Sequence, residues 1–249
     1  MSDPEAGAPS KASFPTTRWS RVAAAGDPAD PEARAALEDL CRAYWYPLYA
    51  LVRRKGYGPD EAADLTQEYF ARLLDTGLLA RADRSKGRFR AFLRTDCGFF
   101  LSHEAERGRA RKRGGGIVSL SIDARDAEGR YLREPADPGL TPDRLFDRAW
   151  AVGLLDSVLE RLAGEYADSG RAAQFEALQV VLSEGARSVS YATIAARLGT
   201  TEGAVQAAVQ RLRRRYREVL REQVAATLDD PDEAAVDDEL RDLFAALGG

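Results

Sequence analysis

Gln206, Gln210, Arg213 and Arg217 follow one another at intervals of three and four residues, so a helix turning 100° per residue gathers them on one outward strip. An amide side chain can pair bidentately with adenine, and a guanidinium with guanine or with phosphate. The strip therefore has the chemistry of a major-groove reader. Arg214 stands at its edge, and Arg211 and Arg215 flank it. On the other side Val205, Val209, Leu212, Tyr216 and Val219 recur at helical spacing and are expected to pack inward. An arginine-rich solvated helix in an all-α bundle would show the same charge run. The residues just upstream favour the first reading. Tyr191, Ile194, Ala195 and Leu198 give a short helix its own apolar stripe, Gly199 supplies a left-handed stop, and Thr200 or Thr201 can cap the helix that follows. Ser190 to Leu220 thus reads as a helix-turn-helix.

Two further stretches carry recognisable chemistry. From residue 84 to 113, Arg84, Lys86, Arg88, Arg90 and Arg94 make the start basic, and Arg107, Arg109, Arg111, Lys112 and Arg113 make the end basic. Between them Phe89, Phe92, Leu93, Phe100 and Leu101 give an apolar side. Rings interleaved with cations suit single-stranded DNA, whose bases stack while the cations track phosphate, although packing can equally absorb every phenylalanine. From residue 59 to 74, Ala63, Thr66, Phe70, Leu73 and Leu74 share a core side, with Glu61, Asp64, Leu65, Glu68 and Arg72 opposite. A leucine rimmed by carboxylates fits a protein partner; a solvated face with one stray leucine is the plainer alternative.

The elements that must position these groups are all helical. Residues 1–15 read as a disordered leader, and Thr17 can cap a short helix holding Trp19 and Val22. Asp30-Pro31-Glu32 opens a longer helix through Leu37, Leu40, Cys41, Tyr44, Leu48 and Leu51, with a bend expected at Pro47. Tyr44, Trp45, Tyr46 and Tyr49 should pack around that bend, the alternative being a platform for bases. Gly114, Gly115 and Gly116 lack the residue order of a phosphate-binding loop and read as a hinge. The polar stretch 114–140 reads as a linker, with at most a hairpin around Ala127 to Gly129. Thr141-Pro142-Asp143 starts a helix carrying Phe146, Trp150, Leu154, Leu155, Val158, Leu159 and Leu162, and another runs near Ala172 to Leu182. The expected fold is all-α: a helical domain over 16–113, the linker, a helix-turn-helix domain over 141–226, and an acidic extension over 227–249.

Net charge is −4 over 249 residues, yet arginines crowd 107–113 and 211–221 while acids crowd the tail. Affinity for nucleic acid follows local cations rather than the average. No apolar run approaches the roughly 20 residues needed to span a bilayer, and the N-terminal stretch has no apolar core for export, so a cytoplasmic protein is expected. Cys41 and Cys97 offer neither a disulfide framework nor zinc spacing. His103 is the sole histidine, and no nucleophile motif accompanies it, so neither an enzyme nor a cofactor is expected. The tail's Val236, Leu240, Leu243 and Leu247 form a stripe behind an acidic start. A helix from Ala234 to Leu247 is expected to fold back on the arginine-rich helix or the domain interface and restrain DNA binding; a helix that merely caps its own domain is the alternative.

With these parts in order, residues 16 to 225 resemble the bacterial RNA polymerase sigma factors of the extracytoplasmic-function group. EAADLTQEYFARLL is similar to that family's acidic helix DAxDLxQExF, which binds the clamp coiled coil of the polymerase's largest subunit. The resemblance implies contacts from Glu61, Asp64, Leu65, Gln67, Glu68 and Arg72. The family's next helix melts and reads the minus-ten element, a role that falls here to Arg88, Arg90, Arg94, Phe99, His103, Arg107, Arg109, Arg111, Lys112 and Arg113. Phe99 and His103 stand where Asn and Asp are frequent, so the family's sequence preference does not transfer. YATIAARLGTTEGAVQAAVQRLR is similar to YxEIAxxLGxSxGTVKSRLxRAR, the minus-thirty-five reader. That implies DNA contacts from Thr200, Thr201, Glu202, Gln206, Gln210, Arg211, Arg213, Arg214 and Arg217. Gln206, Ala207 and Ala208 replace the usual Lys, Ser and Arg. The implied partners are core RNA polymerase, through clamp coiled coil and flap, and promoter DNA, with room for an anti-sigma protein and none for a membrane. A helix-turn-helix regulator that is not a polymerase subunit is the alternative function.

Overall fold

The computed structural model describes residues 31–75, 88–108, 124–133, 139–183, 190–228 and 231–248, and among them every regular element is an α-helix. In order these are α1 (Pro31–Arg54), α2 (Pro59–Asp75), α3 (Phe89–Gly108), α4 (Ala124–Arg133), α5 (Pro142–Asp168), α6 (Ala172–Leu178), α7 (Val180–Ser183), α8 (Tyr191–Leu198), α9 (Glu202–Ala226) and α10 (Glu233–Leu247). The expected leader, the helix at Trp19 and the glycine hinge lie outside the described residues.

Two helices make the frame. In α1 every residue from Ala43 to Val52 is buried, all round the helix, as expected of an element at the centre of a bundle. Pro47 sits inside α1, which continues through it. Tyr44, Trp45, Tyr46 and Tyr49 are core residues: Tyr44 meets Phe89 edge-on at 5.6 Å between centroids, and Trp45 stacks with Phe70 at 6.0 Å. They provide no platform for bases.

The second frame helix is α5. Thr141 caps it by accepting from the Arg144 N–H at 3.3 Å, with proline at the first turn as the sequence predicts. Its first half buries Leu145, Phe146, Ala149, Trp150 and Ala151, and it packs along α1 more extensively than any other pair of helices. Its second half carries α9. One continuous set of buried side chains therefore runs from Leu40 to Leu243, so the halves that the sequence reads as separate domains share a core among the described residues. The cause is legible in α5, whose apolar positions occupy more than one stripe.

Two local expectations are corrected. Residues 124–133 form helix α4, not a hairpin around Ala127 to Gly129, and the stretch read as linker is docked there. Ala127 is buried, and Glu128 accepts hydrogen bonds from Tyr49 Oη at 2.5 Å and from Arg53 Nε and Nη2, each at 2.9 Å. Arg53 and Arg130 lie over the rings of Tyr131 and Tyr46 at 4.9 and 4.1 Å. The helix expected over Ala172 to Leu182 is two pieces, α6 and α7, interrupted at Gln179. The helix expected to follow Gly87 is present from Phe89 to Gly108, and Arg84, Lys86, Arg109, Arg111, Lys112 and Arg113 lie outside the described residues.

Candidate nucleic-acid interface

The corner between α8 and α9 is built by backbone geometry. Gly199 has φ 61° and ψ 39°, the left-handed conformation that a residue with a Cβ adopts only with strain. It lets the Thr200 N–H reach the Ala195 carbonyl at 2.9 Å and the Gly199 N–H reach that of Ala196 at 3.3 Å. Together these bonds close a Schellman motif. The chain then re-enters a helix at Thr201, whose Oγ1 accepts from the Ala204 N–H at 3.2 Å. Ile194 and Ala195 of α8 and Val205, Ala208, Val209 and Leu212 of α9 are buried, which fixes the roll of α9.

That roll leaves Gln206, Gln210, Arg211, Arg214 and Arg217 exposed and Arg213 half-exposed, with Thr200, Thr201 and Glu202 exposed at the corner. Arg211, Arg213 and Arg217 form no ion pair with another described residue, and Arg214 reaches only the neighbouring Glu218 at 3.7 Å. Arg215, on the flank, turns inward instead. Its guanidinium donates to both oxygens of Glu165 at 2.9 and 2.7 Å, holding that carboxyl below its ordinary range. Arg161 to Glu222 at 2.5 Å and Ser157 to Gln223 at 2.5 Å extend the attachment to α5. The open cations and the structural ones are thus sorted by helix face.

Helix α3 divides differently. Phe89, Leu93, Cys97, Phe100 and Leu101 are buried, while Phe99 at 62% exposure stands outside with His103 and Arg107 at four-residue steps. His103 Nδ1 is 4.0 Å from Glu106, and Arg107 donates to Glu104 at 3.0 Å, both on the surface. The basic start is not open. Arg90 is buried, lies 4.4 Å over the Trp150 ring and donates to Glu239. Arg88 bonds to Glu239 at 2.6 Å and to Asp242. Arg94 donates to Asp147 and lies 3.9 Å from Asp143. Three residues expected at DNA are therefore engaged by α5 and α10. The acidic tail helix does fold back, as expected, onto α5 and α9, but its pairing with Arg88 and Arg90, and that of Asp147 with Arg94, were not foreseen. Because Glu239 is spaced with the apolar residues Val236 and Leu243, its place on the inner face of α10 was the available signal.

On α2, Ala63, Thr66, Phe70 and Leu73 are buried as expected, and Glu61, Asp64 and Glu68 are exposed, with Leu65, Gln67 and Arg72 half-exposed between them. Arg72 also stacks over Phe100 at 5.6 Å, so it braces α3 as well as the rim. Partial desolvation against the helix surface raises the Glu68 carboxyl above its ordinary value, and the nearby Glu104 adds to this.

Cys41 and Cys97 are buried free thiols, each pushed by burial up to about 12, out of the range of a reactive thiolate. Among the described residues, no three His, Cys, Asp or Glu side chains converge as a metal-binding group, and no helix is long and apolar enough to cross a membrane. Against protein-family models, curated proteins and solved structures, the chain matches none.

Proposed function

We propose that the chain is a promoter-recognition subunit of RNA polymerase: it binds the core enzyme in the cytoplasm and directs it to DNA. The observation that carries this reading is the helix-turn-helix corner at Gly199 with its open row of Gln206, Gln210, Arg213 and Arg217. The backbone bonds at the corner set the angle between α8 and α9, and the attachment of α9 to α5 makes the row rigid. A rigid helix with amides and guanidiniums on one free face can enter a major groove as a unit. In this reading Arg211, Arg213, Arg214 and Arg217 hold phosphate or guanine, and Gln206 and Gln210 read adenine.

The second support is the face of Glu61, Asp64, Leu65, Gln67 and Glu68 on the same packed body. An apolar centre inside a ring of carboxylates favours a basic, partly apolar partner helix. A coiled coil of the polymerase clamp is such a partner. Phe99, with His103 and Arg107 beside it, supplies an exposed ring where a flipped base can stack. The chain acts by binding and positioning, without chemistry of its own.

Polymerase association separates this reading from a regulator that binds DNA alone. Asp64→Ala combined with Leu65→Ala should abolish capture of the chain by sigma-free core polymerase while leaving helicity and duplex DNA binding unchanged. Unaltered capture would exclude this face as the polymerase contact, and no capture of the parent chain would favour the lone regulator.

A further inference from the structure

Arg88 and Arg90 stand at the entry to α3, beneath α10. Val236 and Leu243 of α10 are buried and Leu240 and Leu247 partly so, against α5 and α9. Asp232 caps α10 by accepting from the Ala235 N–H at 2.7 Å, which makes the helix a defined element. From this seat Glu239, 2% exposed, projects between Arg88 and Arg90, Asp242 reaches the same two arginines, and Asp237 pairs with Arg221 of α9 at 2.5 Å. Buried charge pairs of this kind add little net stability over apolar packing. The α9 row is untouched: Arg221 lies beyond Arg217, and Gln206, Gln210, Arg211 and Arg217 remain exposed.

We propose that α10 is a built-in cover for the two cations at the entry to α3: in the free chain its carboxylates stand where DNA phosphates would, and the helix must leave before Arg88 and Arg90 can bind a strand. The cover leaves the helix-turn-helix open, so the free chain can meet duplex DNA through α9 while its α3 side stays neutralised. A cleft of about 250 Å³ opens beside the cover, lined by Arg90, Arg144, Asp147 and Asp242. An approaching phosphate there meets Arg144, exposed, and then competes with Asp242 for Arg90. This rests on the proposed DNA-binding role of α3.

The test is the salt dependence of binding by the full chain to a random-sequence single-stranded 30-mer. Glu239→Gln with Asp242→Asn keeps side-chain shape and the apolar seat but removes the competing charge. It should tighten binding roughly tenfold at 0.1 M salt and steepen the log-log salt slope by about 1.4, which is two freed cations at about 0.7 each on a single strand. Amide exchange in α10 should speed up. Adding Arg88→Gln should remove about half of the steepening. Asp242→Asn alone, at a half-exposed position, should give a smaller change of the same sign. An unchanged slope, no binding by any of the proteins, or a gain that survives intact with Arg88→Gln would each overturn the cover. Capture by core polymerase is read on the same proteins. Its absence throughout would defeat the sigma reading while the salt slope still decides the cover.

Discussion

With φ at 61° and no heavy atom within 4 Å of an added Cβ, Gly199 is a site where alanine would meet backbone strain but no clash. Gly199→Ala should therefore destabilise the chain by about 1 kcal/mol, read by urea denaturation. An unchanged midpoint would mean that the corner is held elsewhere. Thr201→Ala removes the cap of α9 and should cost about 1 kcal/mol as well. Surface residues of the proposed interface behave in the opposite manner. Arg213→Ala or Arg217→Ala should leave stability within about 0.5 kcal/mol but lower the duplex salt slope by about 0.9 each. Phe99→Ala should likewise spare the fold while weakening single-strand binding by about 1–3 kcal/mol, and equal binding by Phe99→Ala would remove base stacking from the account.

At the scale of elements, the clearest pH response belongs to α4. Glu128 is held below its ordinary value chiefly by the Arg53 guanidinium, with desolvation opposing and the Tyr49 hydroxyl assisting. A carboxyl lowered in this way contributes stability that is fully present above its unfolded value and is lost as the pH falls through the lower folded one. Amide protection in α4, corrected for intrinsic exchange, should thus decline below about pH 4.5. Glu128→Gln should reduce the protection at neutral pH and flatten that decline; an acid-insensitive α4 in the parent chain would contradict the pair's role. Helix boundaries set by Pro and Thr caps, as at Thr141, were legible in the sequence, as was the Gly199 corner. The α4 helix was not. Gly129 in its middle and the polar residues around it imitate a turn, and the helix depends on tertiary contacts from Glu128 and Tyr131 that no local pattern encodes.

The whole molecule is organised by the α1–α5 contact. Separate hydrophobic stripes were readable on each helix, but which stripe met which was not, because a long buried helix such as α5 offers more than one apolar side. The hydrogen-bonding acids of Arg88, Arg90 and Arg94 escaped for the same reason: they come from residues 53 to 154 positions away, brought together only by packing. The shared core carries its own consequence. Phe146→Ala, at a fully buried position where Phe146 stacks with Tyr44 at 6.5 Å, should cost about 3–5 kcal/mol. It should lower exchange protection in α1 together with α8 and α9. Loss confined to one half would show that the halves fold independently.

Promoter recognition is tested most directly by reconstituting the purified chain with sigma-free core RNA polymerase and sequencing transcript starts on a genomic DNA library. A promoter-recognition subunit should give discrete starts that share an upstream motif, and starts should disappear with Asp64→Ala and Leu65→Ala. Transcripts no different from those of core polymerase alone, with no association between the two proteins, would contradict the sigma reading.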